Sequence, residues 1–259
     1  MYMIKGIFFD VDGTIFSHKT HIISSAIKEA IKDLQSKDIK VFLATGRSYN
    51  ELETMGVLDM PYDGYALMNG QLVLNHDFDA IYENPIEKHD NEVLVKAFED
   101  KLFPIIIIEK KDIYINYVDE HVINIENSIS SKPPRIDHYT GNKVYQFMAY
   151  TKNIKAVYSL DLPNSKLINW FDEAFDIINA NGDKTTGIKA LCDYYDISLD
   201  ETMAFGDGEN DATMLEYAGI GVAMGNGHPK TKDIADYVTD GIDDDGVISA
   251  LKHFKLIGE

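Results

Sequence analysis

Two aspartates stand one residue apart in Asp10-Val11-Asp12-Gly13-Thr14, directly after a short apolar run. If the strand continues, this spacing aims both carboxylates the same way, and Gly13 lets the backbone turn beneath them. Ionised carboxylates held this close repel, so the pair requires a cation or a shared proton. Far along the chain, Gly206-Asp207-Gly208-Glu209-Asn210-Asp211 offers more acids. Asp207 and Asp211 are hard oxygen donors of the kind Mg²⁺ takes, with water and substrate phosphate completing its shell. An EF-hand calcium loop does not fit, because Ala212 stands where its glycine belongs and its terminal glutamate is absent. Thr45-Gly46-Arg47 combines a hydroxyl with backbone N–H groups at a helix start, a ready cradle for phosphate. Lys184, after Asn181-Gly182-Asp183, is a lone cation that gains meaning only beside acids. Taken singly, each piece also has an ordinary reading: an Asp-Gly turn, an acidic turn, a threonine cap, a solvated lysine.

Together the pieces describe a phosphoryl-transfer site. Asp10 is the candidate nucleophile, its carboxylate taking the phosphoryl group as an aspartyl-phosphate. Mg²⁺ on Asp10, Asp207 and the backbone carbonyl of Asp12 would offset the repulsion between that carboxylate and the phosphate. The side chain of Asp12 is then free to protonate the leaving oxygen and later to activate water. Thr45, Gly46 and Lys184 would hold the equatorial oxygens, where transition-state charge sits. Phosphate monoester hydrolysis needs acceleration of up to about 10²¹-fold, which no isolated acid supplies.

The elements that must position these groups follow from hydrophobic periodicity. Ile4–Phe9 reads as a buried strand ending at the first acids, and Ser24 as the cap of a helix over Ser25–Lys37. Lys40–Ala44 is a second strand, Ser48–Met55 a helix, and Gly64–Leu67 a third strand before Asn69-Gly70. Strand and helix alternating at this spacing imply a parallel sheet. From about residue 81 to 180 the rhythm changes. A helix over Asn91–Leu102 precedes a hairpin of Pro104–Glu109 with Asp112–Val118. An irregular loop over Ser130–Thr140 leads to a strand at Lys143–Thr151, a short helix over Ile154–Leu160, and a hairpin of Leu167–Phe171 with Phe175–Ile178. The last stretch returns to α/β, with helices over Thr185–Tyr195, Ala212–Ala218 and Pro229–Ala235 and strands at Thr202–Phe205 and Ile220–Ala223. The expected architecture is α/β: a doubly wound parallel sheet built from 1–80 and 181–259, with an α+β module inserted over 81–180. Three of the four chemical pieces then fall just past the C-terminal ends of strands, where open α/β sheets bind ligands.

Composition agrees with a globular protein of this size. The 259 residues are 45% hydrophobic, and 43 acids against 24 bases give a net charge of −19. Such a surface repels phosphate backbones and anionic lipid, which sets nucleic acid and membrane aside as partners. A small phosphorylated metabolite stays admissible, because a bound cation decides the field inside a pocket. The single cysteine, Cys192, fits a reducing cytoplasm, and the N-terminal apolar run is too short for a signal segment. The longest uncharged apolar run, Phe103–Ile108, is far below the roughly 20 residues a bilayer requires.

The order Asp10-x-Asp12-Gly-Thr, Thr45-Gly-Arg, Lys184, then Gly206-Asp207-Gly-x-Asn-Asp211 resembles the four motifs of the haloacid dehalogenase superfamily. The hundred-residue insert between the second and third motifs is similar to its Cof-type branch of phosphatases, which carries an α+β (type IIB) cap on a Rossmann-like core. The resemblance implies Asp10 as nucleophile, Asp12 as acid and base, and Thr45 and Lys184 as stabilisers of phosphate and nucleophile. It also implies Asp10, Asp12 and Asp207 around Mg²⁺, Asp211 orienting metal-bound water or Lys184, and Asn210 lining the phosphate pocket. Arg47, beside the cradle, is expected to touch substrate or the insert, or to form a structural ion pair. Tyr114, Tyr117, His138, Tyr139 and Tyr145 are the insert's candidates for substrate contact, each with packing as its ordinary alternative. A phosphohexomutase would share the aspartyl-phosphate chemistry but return the phosphoryl group to a reoriented sugar. A phospho-receiver module would end within about half this length, and an idle binding protein would not need Asp12 and Lys184 together.

Overall fold

The structure, a computed structural model, describes residues 3–128, 131–171 and 173–258. Met1 and Tyr2 of the N-terminal run and Ser130 of the expected loop lie outside the described residues. The chain divides into two compact units: Met1–Arg47, Glu51–Glu83 and Asp183–Glu259 form one, Ser48–Asn50 and Asn84–Gly182 the other.

The first unit is built on β1 (Gly6–Phe9), α1 (Ser25–Ser36), β2 (Lys40–Ala44), most of α2 (Tyr49–Thr54), β3 (Gly64–Leu67), β4 (Leu72–Asn75) and β5 (Ala80–Glu83). The inserted unit follows with α3 (Lys88–Glu99), β6 (Ile105–Glu109), β7 (Ile113–Ile115), α4 (Glu120–Ser128), β8 (Val144–Tyr150), α5 (Ile154–Tyr158), β9 (Ser165–Phe171) and β10 (Ala174–Asn179). The chain then completes the first unit with α6 (Lys184–Tyr195), β11 (Thr202–Gly206), α7 (Ala212–Tyr217), β12 (Ile220–Ala223), α8 (Pro229–Ile234), β13 (Tyr237–Val238) and α9 (Gly246–His253).

The core sheet runs β13-β12-β11-β1-β2-β3-β4-β5, parallel from β13 to β3 and antiparallel from there to β5. Its central strands are buried on both faces, as parallel strands must be. Successive side chains point to opposite faces. Phe8 stacks on Phe42 and packs with Ile188 and Leu191 of α6 and Met214 and Leu215 of α7. Phe9 stacks on Phe205. Helix α1 lays its stripe Ile27, Ala30, Ile31 and Leu34 inward, with Ser24 Oγ capping the Ile27 N–H at 3.2 Å.

The inserted unit is a five-stranded antiparallel sheet, ordered β7-β6-β8-β10-β9, packed with α3 around Leu94, Phe98, Ile105, Ile107, Phe147 and Ile177. Two of its candidate contact residues are core instead: Tyr114 and Tyr145 are buried, Tyr114 donating to Glu109 Oε1 at 2.7 Å. Among the described residues no helix is long and apolar enough to cross a membrane.

Candidate active site

Register brings the motifs together. Phe9 of β1 is level with Phe205 of β11 on one side and Leu43 of β2 on the other. The residues that follow these parallel neighbours, Asp10, Asp207 and Thr45, therefore emerge at one sheet edge, with strands about 4.8 Å apart. Asp10 extends the ladder one step, its N–H donating to Phe205 O at 2.9 Å. One oxygen each of Asp10, Asp207 and Asp211 lies within 4.8 Å of the others.

Lys184 enters from the first turn of α6. That helix start is fixed by Asp183, whose Oδ1 accepts from the N–H groups of Thr185 and Thr186 at 2.9 and 3.3 Å. The Lys184 ammonium, 1% exposed, donates to Asp10 Oδ1 at 2.6 Å and to Asp211 Oδ1 at 2.5 Å. Burial alone would lower its pKa, but Asp10 and Asp211 outweigh burial and hold it above the usual lysine range. Asp211 uses its other oxygen to accept from the N–H groups of Asp207 and Gly208, at 3.0 and 2.8 Å. Both its oxygens are thus engaged, which makes it a clamp on Lys184 and on the loop that presents Asp207.

Burial, reinforced by Asp211, pushes the Asp10 carboxyl well above the ordinary carboxylate range, with Lys184 opposing. Burial followed by Asp211 pushes Asp207 up to about 6. Three carboxylates against one ammonium leave two negative charges uncompensated by any cation in contact with them among the described residues. An all-oxygen set with that deficit fits a hard divalent cation. The space is shaped for Asp207: a Cβ on Gly13, whose φ is +77°, would lie 2.3 Å from Asp207 Oδ2.

Asp12 stands apart from this cluster. Its carboxylate accepts from Arg47 Nε at 2.9 Å and Nη2 at 3.0 Å, and His18 Nε2 lies 3.3 Å away. Although burial opposes it, the His18 hydrogen bond and the Arg47 charge hold Asp12 well below the usual range. Of the four acids expected around the metal, the Asp12 side chain is the one outside the cluster, which leaves its backbone carbonyl as its means of joining a metal shell. Arg47, expected to touch substrate or the insert, spends its guanidinium on Asp12 and on Glu51 Oε1, 3.0 Å away. Thr45 is buried, and its Oγ1 accepts from the Arg47 N–H at 3.1 Å.

Two asparagines escape a reading of motifs. Asn69 joins the phosphate-cradle side to the metal side: its N–H donates to Thr45 O at 2.9 Å and its Oδ1 accepts from Asn210 Nδ2 at 3.3 Å. It sits in a run of positive φ through Met68, Asn69 and Gly70, of which the sequence signals only the Asn-Gly turn. Asn226 donates to Gly13 O at 2.9 Å and to Asp207 Oδ2 at 3.2 Å, while its Oδ1 accepts from the Ile242 N–H at 2.8 Å. Nothing in its Gly225-Asn226-Gly227 setting distinguishes it from a turn residue.

Comparison with known proteins agrees with this geometry. The sequence pattern of the haloacid dehalogenase-like hydrolases matches residues 7–251. YkrA of Bacillus subtilis (strain 168) is 32% identical over 260 residues, covering 98% of each chain. The 5-amino-6-(5-phospho-D-ribitylamino)uracil phosphatase YitU of the same organism is 28% identical over 261 residues, covering 95% of each. Among solved structures, BT1666 from Bacteroides thetaiotaomicron superposes with a TM-score of 0.87 at 31% identity, over 99% of this chain and 97% of its own. The HAD subclass IIB sugar phosphatase BT4131 superposes with a TM-score of 0.83 at 32% identity, over 98% and 100%. Site geometry and whole-chain similarity lead to one conclusion: this protein belongs to the haloacid dehalogenase-like hydrolases and is a phosphatase of their Cof-type branch.

Proposed function

We propose that this phosphatase hydrolyses small phosphomonoesters with Mg²⁺, by transfer of the phosphoryl group onto Asp10. The observation that carries the reading is the buried Lys184 bridge between Asp10 and Asp211, at 2.6 and 2.5 Å, beside the Asp207 carboxylate. Asp10 and Asp207, with the carbonyl of Asp12, would hold the ion, and Asp211 would keep their frame in place. Bound there, Mg²⁺ supplies the positive charge that lets a carboxylate approach a phosphate dianion.

Lys184 fixes the rotation of the Asp10 carboxylate and offsets charge on the transferring group. An Asp10 oxygen forms the new bond to phosphorus as the bond to the leaving oxygen breaks. Asp12, a carboxylate at rest, takes up a proton from solvent and passes it to that oxygen. In the second half-reaction the Asp12 carboxylate takes a proton from water, whose oxygen attacks the phosphorus, freeing inorganic phosphate and Asp10. Thr45, Gly46 and Asn210 line the phosphate.

Sugar phosphates and related metabolites are the proposed substrates. The reading is supported by the names of two similar proteins, one a sugar phosphatase and the other a phosphatase of a ribityl phosphate. We assign catalysis to the first unit and substrate choice to the inserted one. A cytoplasmic setting belongs to the same proposal, supported by the lone thiol of Cys192. The test is phosphate release from a generic phosphomonoester with Mg²⁺ present. Asp10→Asn is expected to lose about a thousandfold or more. Wild-type turnover by that variant would end the proposal.

A further inference from the structure

The acid group of this site is held with more apparatus than a turn aspartate needs. Asp12 is gripped by two parallel N–H···O bonds from one guanidinium, Nε to Oδ2 at 2.9 Å and Nη2 to Oδ1 at 3.0 Å. That geometry fixes the plane of the carboxylate as well as its place. The guanidinium is itself anchored at its third nitrogen, Nη1, which donates to Glu51 Oε1 at 3.0 Å. Its backbone is tied at both ends, the N–H to Thr45 Oγ1 at 3.1 Å and the carbonyl accepting from the Met68 N–H at 3.1 Å. His18 approaches the same carboxylate, its Nε2 3.3 Å from Oδ1.

We propose that Arg47, backed by Glu51 and assisted by His18, is a positioning residue that aims the Asp12 carboxyl at the leaving-group oxygen. This rests on the reading of Asp12 as general acid. Proton transfer in the transition state requires donor and acceptor within about 2.6–3.2 Å. Asp12 is only half-buried on a turn, so without the fork its side chain would sample rotamers outside that range. All three Arg47 nitrogens already donate to Asp12 or Glu51, so swinging the guanidinium onto a phosphate would loosen its grip on Asp12. Lysine cannot replace it in full, having one ammonium where the fork has two coplanar donors.

The proposal separates from phosphate binding by leaving group. An alkyl phosphate needs its departing oxygen protonated as the P–O bond breaks, whereas 4-nitrophenolate departs as a stable anion. The measurement is kcat/KM, which reports the first phosphoryl transfer, on one alkyl and one 4-nitrophenyl phosphate. For Arg47→Gln, kcat/KM is expected to fall about 10- to 100-fold further on the alkyl ester than on the aryl ester. Arg47→Lys should recover part of the alkyl-specific loss, and Glu51→Gln should show a smaller loss of the same kind. Thermal melts of each variant verify folding, and Glu51→Gln serves as the test if Arg47→Gln does not fold. Equal losses on both esters would overturn the proposal in favour of phosphate binding, and no loss on either would overturn it outright. Asp12→Asn is the control for the underlying reading. If it shows no leaving-group dependence, the acid assignment to Asp12 fails whatever Arg47 does.

Discussion

Lys184 shows how much of this site is decided by single side chains. An ammonium with 1% exposure is stable only because Asp10 and Asp211 supply charge and acceptors. Removing it strands two buried carboxylates. Lys184→Met is expected to cost the metal-free protein about 3–5 kcal/mol, read from urea unfolding of the core unit, and to abolish turnover. Gly13 is the backbone counterpart: its φ of +77° and the 2.3 Å approach of Asp207 Oδ2 leave no room for a methyl group. Gly13→Ala should displace Asp207 and weaken Mg²⁺ binding at least tenfold by calorimetry. Unchanged affinity would place the metal elsewhere. The meeting of Asp10, Asp207, Asp211 and Lys184 was legible in sequence because the acids follow the ends of apolar runs and the lysine opens a helix. Asn69, Asn226 and His18 were not. The roles of the two asparagines arise from partners 16 to 213 residues away and that of His18 from a half-exposed loop contact, and no local pattern records such partners.

At the scale of elements, the parallel strands that carry the motifs declared themselves as short apolar runs. Strands β4, β5 and β13 and helices α4 and α9 did not. Leu72–Asn75 is a hairpin partner of β3 introduced by the left-handed Met68-Asn69-Gly70 turn, and Tyr237–Val238 is too short to show a period. The hairpin strand expected over Asp112–Val118 is observed only at Ile113–Ile115. Asn116 ends it: its Oδ1 accepts from the Ile105 and Tyr117 N–H groups, and its Nδ2 donates to Phe98 O and Phe103 O. Asn116→Ala would remove the partner of the Ile105 and Tyr117 N–H groups and of Phe103 O, at an expected cost of about 2–4 kcal/mol in unfolding of the inserted unit. A neighbouring ion pair predicts a pH effect. The Arg135 fork beside Asp112, with bonds of 2.6 and 2.8 Å, holds the Asp112 carboxyl below the usual range. A depressed carboxyl contributes stability above its unfolded pKa of about 3.9 and loses it as pH falls through the folded value. Asp112→Asn should therefore cost under about 1 kcal/mol at neutral pH, since the pair is partly solvated, and nothing in strong acid. A penalty that persists below pH of about 2 would contradict the ion-pair origin.

For the molecule as a whole, a chain of net charge −19 concentrates acids at a site whose substrate is also anionic. A divalent cation reconciles the two, so binding and stability should be linked. At about a hundredfold excess over its dissociation constant, Mg²⁺ is expected to add about 2.7 kcal/mol to the core unit, raising its melting temperature. A chelator should reverse the gain, and Asp207→Asn should lack it. The architecture was readable from the sequence at this scale, since α/β alternation stops near residue 80 and resumes near 180. Which of the insert's candidate tyrosines belong to its core was not, because nothing local in the sequence marks Tyr114 and Tyr145 as buried.

The central claim is that a carboxylate of this chain carries the phosphoryl group between two half-reactions. Acid quenching during turnover, followed by peptide mass spectrometry, tests it directly. The expected result is phosphate mass on the peptide containing Asp10, absent in Asp10→Asn. Wild-type enzyme turning over with no phosphorylated peptide, or with phosphate on a peptide that lacks Asp10, would contradict it.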